Sequence, residues 1–160
     1  MPAERSPIGW REWVSLPDLG VPAMKVKIDT GARSAALHAF DLEIVERDGL
    51  TLARFAIHPV QRSAAGEVVV EAEIVSWRKV RNPGGRLQSR PVISTRIGLG
   101  KIFRAEVTLT RRDEMGFRML LGRQTVRRRF LVDPGRSYLL GEQPPRIKKR
   151  RATRSRDPEA

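Results

Sequence analysis

Cysteine is absent from the 160 residues. That excludes a disulfide framework, a thiolate zinc site and a cysteine nucleophile, and it is compatible with a reducing compartment. No apolar run approaches the roughly 20 residues that a membrane-spanning helix needs. The opening stretch MPAERSPIGW has no apolar core of a secretory signal. The chain is therefore expected to be soluble and cytoplasmic, with no membrane partner. Carboxylates are scarce, at 18 Asp and Glu against 31 Lys and Arg, for a formal net charge of +13 at pH 7. Such an excess attracts polyanions such as nucleic acid, ribosomes or acidic peptides. Residues 144–160 hold seven basic and two acidic side chains, so more than half of the excess remains in the body of the chain.

The tail PPRIKKRRATRSRDPEA is almost without apolar residues. Residues 143–160 are expected to be a disordered basic tail, and residues 1–7 a disordered leader. Residues 8–142 then form one domain. Its dominant pattern has a period of two, the signature of strands. In VPAMKVKIDTGA, Met24, Val26 and Ile28 share one face while Lys25 and Lys27 share the other. Two or three strands are expected over Ser34 to Pro59, turning at Asp48-Gly49. EVVVEAEIVSWRKV ends in the turn cluster Asn82-Pro83-Gly84-Gly85. A further hairpin bends at Gly98 to Lys101, and FLVDPGRSYLLG reads as two strands about Pro134-Gly135. The one convincing helix runs from Gln124 to Arg129. The body reads as all-β with hairpin connections, hence a sandwich or barrel. Trp10 and Trp13, in the first apolar segment, are expected in core or subunit packing.

Chemistry enters at KIDTGARSAALHA, residues 27–39. Asp29 ends an apolar strand and is followed by a hydroxyl residue and a glycine. Two carboxylates within hydrogen-bonding distance cannot both ionise and share one proton. One can then draw a proton from water while the other donates to an amide carbonyl. Glycine beside the aspartate lets the backbone come close. The chain holds no second Asp-Thr-Gly or Asp-Ser-Gly, and Asp133-Pro134-Gly135 has proline where the hydroxyl should be. Any dyad therefore needs Asp29 of a second copy across a two-fold axis. The plain alternative is that Asp29 merely starts a turn.

KIDTGA resembles the catalytic loop of retropepsin-like aspartic proteases, and MLLGRQTVRRRF resembles their second fixed element. IGWREWVSLPDLGVPAMKVKIDTGARSAALHAFDLE, RPVISTRIGLG, RAEVTLTRRDEMGFRMLLGR and RFLVDPGRSYLLG extend the likeness from Ile8 to Gly141. Together they resemble a bacterial family labelled ATP-dependent zinc protease and associated with RimK-type ATP-grasp ligases. The resemblance implies a retropepsin-like (acid protease) closed barrel with one short helix, paired as a two-fold homodimer. It implies an aspartic endopeptidase with Asp29 as catalytic carboxylate, Thr30 tying the two loops together and Gly31 permitting the tight turn. Leu120, Leu121 and Gly122 would back that turn, with Arg123 opening the helix. The hairpin from Ile74 to Val92, tipped by Asn82 to Arg86, sits where the flap should be, and Asp41 to Val60 would be an inserted hairpin. Ala32, Arg33, Arg86 and Arg90 would contact substrate. Arg33 replaces a small or acidic residue, and its guanidinium could bind an acidic substrate side chain. RimK-type ligases add glutamates to a ribosomal protein, so the implied substrate is acidic or glutamate-tailed and the implied partner is such a ligase.

The other parts of that family label find little support in the residues. His38 and His58, with Asp41 or Glu43, are weak zinc candidates: HExxH is absent and the histidines stand twenty residues apart. No GxxxxGK[ST] is present for ATP. The expectation is therefore no cofactor. Arg33, Arg78, Arg81, Arg86, Arg90 and Arg123 are expected around one cleft selective for acidic peptides. Two other readings stand beside the peptidase. One is a catalytically silent adaptor that holds a ligase, ribosome or RNA through its basic surface, with the tail as anchor. The other is a zinc-dependent peptidase.

Overall fold

The computed structural model describes residues 5–61, 63–81, 84–111 and 116–141. Asn82 of the flap tip and the whole of the basic tail lie outside the described residues. The elements are, in chain order, β1 (Ser6–Gly9), β2 (Arg11–Leu16), a 3-10 turn (Pro17–Leu19), β3 (Val21–Ile28), β4 (Ala35–His38), β5 (Phe40–Arg47) and β6 (Leu50–Ile57). They continue with β7 (Val68–Arg81), β8 (Leu87–Gly98), β9 (Ile102–Thr110), β10 (Met119–Leu121), α1 (Arg123–Val126) and β11 (Phe130–Asp133). The described residues are mostly β, with one short α-helix. Among the described residues no helix is long and apolar enough to cross a membrane.

Nine strands form a sheet in the order β2-β3-β10-β4-β9-β8-β7-β6-β5, and β1 pairs separately with β11. A further pair, Ser15 with Gly98, joins β2 to β8. Inward-facing side chains alternate as the period-two pattern requires. Met24, Val26 and Ile28 of β3 are buried with Leu37, Leu109 and Leu121, while Lys25 and Lys27 face outward. Trp10 packs edge-on against Phe117, and Trp13 stacks on Tyr138.

The inserted hairpin is β5–β6. Its bend has Asp48 at φ 53° and Gly49 at φ 78°, the two positive values that a two-residue turn matched to strand twist demands. The flap-like hairpin is β7–β8. The first residues of β7 pair with β6 as far as Glu73, whereas Ile74 to Arg81 pair with β8 alone. Its outer half therefore has a strand on one side only, and Arg81 donates to the Gly85 carbonyl at 2.7 Å across the bend.

Three expectations need correction. Ser6 and Pro7 pair with Phe130 and Leu131, so the ordered chain begins before residue 8. The helix starts at Arg123 and stops at Val126, because Arg127 is extended and Arg128 has φ 69°, which turns the chain into β11. Among the described residues no second strand follows Pro134-Gly135. The amides of Leu139, Leu140 and Gly141 instead donate to the carboxylate of Glu12, at 2.8, 3.1 and 2.8 Å.

Asp18 in the 3-10 turn holds Arg96. The guanidinium donates to Oδ1 at 2.9 and 2.6 Å, and the Arg96 amide donates to Oδ2 at 3.2 Å. The Arg96 side-chain bond, above all, holds the Asp18 carboxyl below its ordinary value of 3.8. A carboxyl with a depressed folded pKa adds stability above its unfolded pKa and loses it as pH falls through the folded value. The thermal midpoint of the parent should exceed that of Asp18→Asn near neutrality, and the two curves should converge below about pH 4. Parallel curves across that range would show that the pair adds nothing.

Candidate active site

Asp29 stands where β3 ends. β10 supports that point from both sides, running parallel to β3 (Leu120 with Lys27, Leu121 with Ile28) and antiparallel to β4 (Met119 with Leu37, Leu120 with Ala36). The Asp29 amide donates to the Leu121 carbonyl at 2.9 Å, and Ala32 N–H donates back to the Asp29 carbonyl at 3.1 Å. Asp29 Oδ1 accepts the Gly31 amide at 3.1 Å, the local turn that a short carboxylate favours. Asp29 is half-buried, while Thr30 and Gly31 are exposed. A carboxylate is thus fixed by its backbone at the rim of the core, with its loop open to solvent.

Gly122 and Arg123 lock the other side of this loop. Arg123 N–H donates to the Ala32 carbonyl at 2.8 Å and Gln124 N–H to the Arg33 carbonyl at 3.0 Å. Arg123 Nη1 reaches the carbonyls of Thr30 and Gly31, at 3.0 and 3.2 Å. Gly122 is extended, at φ −90°, so its need for glycine is one of space. A Cβ there would lie 2.5 Å from the Ser34 carbonyl oxygen and 2.7 Å from its carbonyl carbon and amide nitrogen. Gly122→Ala should lower the unfolding free energy by about 1–3 kcal/mol, the usual penalty for overpacking. An unchanged urea midpoint would show that the loop yields without cost.

The arginines expected around one cleft fall into separate places. Arg33 and Arg123 line a cavity of about 440 Å³ with Thr30, Gln124, Val126 and Arg127. Arg78 lines a neighbouring hollow of about 240 Å³ that includes Ser34, Gln124, Arg104 and Arg129. Arg86 and Arg90 line a third, of about 580 Å³, against β5 and the end of β9. Arg81 is spent on the flap bend. One group of arginines thus stands beside the Asp29 loop and another on the β7–β8 hairpin, with Ala32 in the loop itself. Sequence reading missed Gln124 and Arg127 in the first group. The i,i+4 relation of Arg123 and Arg127 was the available signal.

The weak zinc candidates are not gathered either. The Phe40 ring is stacked between the two imidazoles, 4.0 Å from His38 and 3.7 Å from His58 by ring centres. His58 Nε2 lies 2.8 Å from Glu67 Oε2, and Glu43 meets Arg54 at 3.3 Å. Among the described residues no group of three His, Asp or Glu could hold a metal ion.

Comparison with known proteins bears on this loop. The family model described as "Retropepsin-like aspartic endopeptidase RimB" matches residues 7–143. Relatives from Shewanella halifaxensis and Parasynechococcus marenigrum, each named "Probable alpha-L-glutamate ligase", are 40% and 42% identical over 137 and 136 residues. The matches cover 85% and 84% of this chain but 30% and 29% of those relatives, so the chain spans under a third of their length. Among solved structures, Lpg0085 from Legionella pneumophila, a protein with unknown function, is similar at TM-score 0.70 and 31% identity. That match covers 85% of this chain and 98% of the other. With a family model spanning nearly the whole of the described chain, and carrying the Asp29-Thr30-Gly31 loop within it, the protein belongs to the RimB-like family of retropepsin-like aspartic endopeptidases.

Proposed function

We propose that the protein is an aspartic endopeptidase that works as a two-fold homodimer, with one Asp29 from each copy meeting at the shared axis. The observation that carries this reading is the Asp29-Thr30-Gly31 loop, pinned through Leu121, Ala32 and Arg123 yet open to solvent on the Thr30 side. One carboxylate of the pair takes a proton from water as its oxygen attacks the scissile carbonyl. The other, protonated, donates to the carbonyl oxygen. Collapse of the tetrahedral intermediate breaks the C–N bond, and the amine leaves with a proton returned from the pair. This chemistry calls for no metal ion. We read the strands β2-β3-β10-β4-β9-β8 as a closed barrel, a reading supported by the Ser15–Gly98 pair.

The substrate we assign is an acidic or glutamate-tailed protein. Arg33, Arg123 and Arg127 beside Thr30 offer guanidinium forks suited to carboxylates. Relatives named as glutamate ligases carry a matching segment within a longer chain, which supports action alongside a RimK-type ligase in the cytoplasm. The test is intact-mass spectrometry of a glutamate-tailed ribosomal protein incubated with the protein, with and without EDTA. Loss of mass in both samples supports the reading. Loss abolished by EDTA points to a metallopeptidase. No loss, with salt-sensitive binding retained, points to an adaptor.

A further inference from the structure

Cations and aromatic rings alternate on the outward face of β2 and β3. Glu12, Val14 and Leu16 are buried on the inner side of β2, so Arg11 and Trp13 share the other face, with Lys25 of β3 paired opposite Trp13. Residues 136–138 run alongside. Trp10 N–H donates to the Arg136 carbonyl at 2.9 Å, and Tyr138 N–H donates to the Arg11 carbonyl at 2.9 Å. The Arg11 guanidinium lies against two rings, 4.7 Å from the centre of Trp10 and 5.0 Å from that of Tyr138. Lys25 Nζ stands 5.4 Å from Trp13 and 6.0 Å from Tyr138, and Trp13 stacks on Tyr138. All three rings keep part of their surface in water, and Arg136 is exposed. Arg11 Nε donates to Ser137 Oγ at 3.1 Å. Among the described residues Arg11, Lys25 and Arg136 meet no carboxylate.

We propose that this ladder of rings and cations is a binding surface for single-stranded nucleic acid. The inference is independent of the peptidase reading, since Asp29 and its loop take no part in it. A cation held over a ring is positioned by the ring's quadrupole without being neutralised. The charges of Arg11 and Lys25 therefore stay available to an anion, with Arg136 beside them. The rings decide which polyanion. A glutamate chain presents carboxylates and no flat face, so it would gain nothing from Trp10, Trp13 and Tyr138. An unpaired nucleic-acid strand carries a phosphate and a base at every step. Its phosphates meet the cations, and its bases stack on aromatic side chains or on guanidinium planes. A duplex satisfies its bases by stacking them internally, so the ladder suits the single strand. The net charge of +13 draws any polyanion to the protein, and the ladder is where a strand is held by its bases as well.

The chain has three tryptophans, so in a full-length Trp77→Phe protein all indole fluorescence comes from Trp10 and Trp13. That protein is titrated with decauridylate, with a ten-base-pair RNA duplex and with decaglutamate. Decauridylate should quench the emission saturably, because stacked bases touch the indoles, while the other two should leave it nearly unchanged. A strand held by the basic tail alone would not quench. Tyr138→Ala should weaken decauridylate about tenfold, the usual share of one stacking ring. That substitution removes a packed ring, so two milder variants accompany it. Arg11→Gln and, separately, Lys25→Gln should each weaken decauridylate severalfold and lower the slope of log affinity against log salt by about one. A merely structural role would leave that slope where it was. Absence of quenching by decauridylate overturns the proposal, as do salt slopes equal to the parent's in both glutamine variants. Equal quenching by decaglutamate overturns it in favour of an acidic-peptide surface, and equal quenching by the duplex removes the preference for a single strand on which it stands. Glutamine variants that sediment at lower mass than the parent overturn it in favour of a contact between copies.

Discussion

Asp29→Asn should lower turnover of a glutamate-tailed protein by about 10²–10⁴-fold, the usual share of a positioned acid–base group. The thermal midpoint should move by no more than about 2 °C, a shift of under 1 kcal/mol for a domain of this size. The two halves of that prediction have different physical grounds. In the fold, Asp29 uses its backbone N–H to Leu121, its carbonyl to Ala32 and its Oδ1 to the Gly31 amide. Asparagine keeps the shape, the backbone and the Oδ1 acceptor, so the loop should survive. What it cannot do is share a titrating proton with a second carboxylate. On the proposed dyad, with one Asp29 from each copy, activity per chain should also fall on dilution through the dimer dissociation range. Retained turnover in the variant would return Asp29 to the status of a turn residue. A large loss of stability would instead mean that the carboxylate is structural.

How much of this could be read beforehand depended on whether the signal was local. The β3 face of Met24, Val26 and Ile28 and the Asp48-Gly49 bend are properties of a few neighbouring residues, and both stand in the structure as expected. The loop and its brace, Asp29-Thr30-Gly31 with Leu120 to Arg123, were legible as two short motifs although 88 residues separate them. Long-range pairings were not. β3 with β10, β4 with β9 and β1 with β11 are parallel pairs between distant strands, and no local periodicity says which strand lies beside which. The same limit explains the arginines. Arg33 and Arg86 both follow the apolar segments that build the cleft region, but strand order sends them to different cavities. His38 and His58 do approach one another, yet Phe40 from the intervening segment fills the space between their rings.

The alternation of β2 put Glu12 on the inward face with Val14 and Leu16, where a lone carboxylate would be costly to bury. Three of its four partners could not be foreseen, because they lie 127 to 129 residues further along the chain. Glu12 has no exposed surface. Its Oε2 accepts the amides of Gly9 at 2.6 Å and Leu139 at 2.8 Å, and its Oε1 accepts those of Leu140 at 3.1 Å and Gly141 at 2.8 Å. Glu12→Ala strands four donors, each costing about 1–3 kcal/mol when buried without an acceptor. That total, about 4–12 kcal/mol, is comparable with the roughly 5–15 kcal/mol by which domains are stable, so the variant should be unfolded or should release residues 136–141 from the body. Water entering the space left by the side chain would reduce the loss. Glu12→Gln is the sharper test, since its volume is unchanged. One oxygen becomes an NH₂ that must face two N–H donors, so at least two bonds are lost and the urea midpoint should drop. A Glu12→Gln protein that unfolds with the parent would show that the ionised carboxylate is not what holds the two ends together. A drop with turnover per folded chain unchanged would place Glu12 in the frame and leave the chemistry to Asp29.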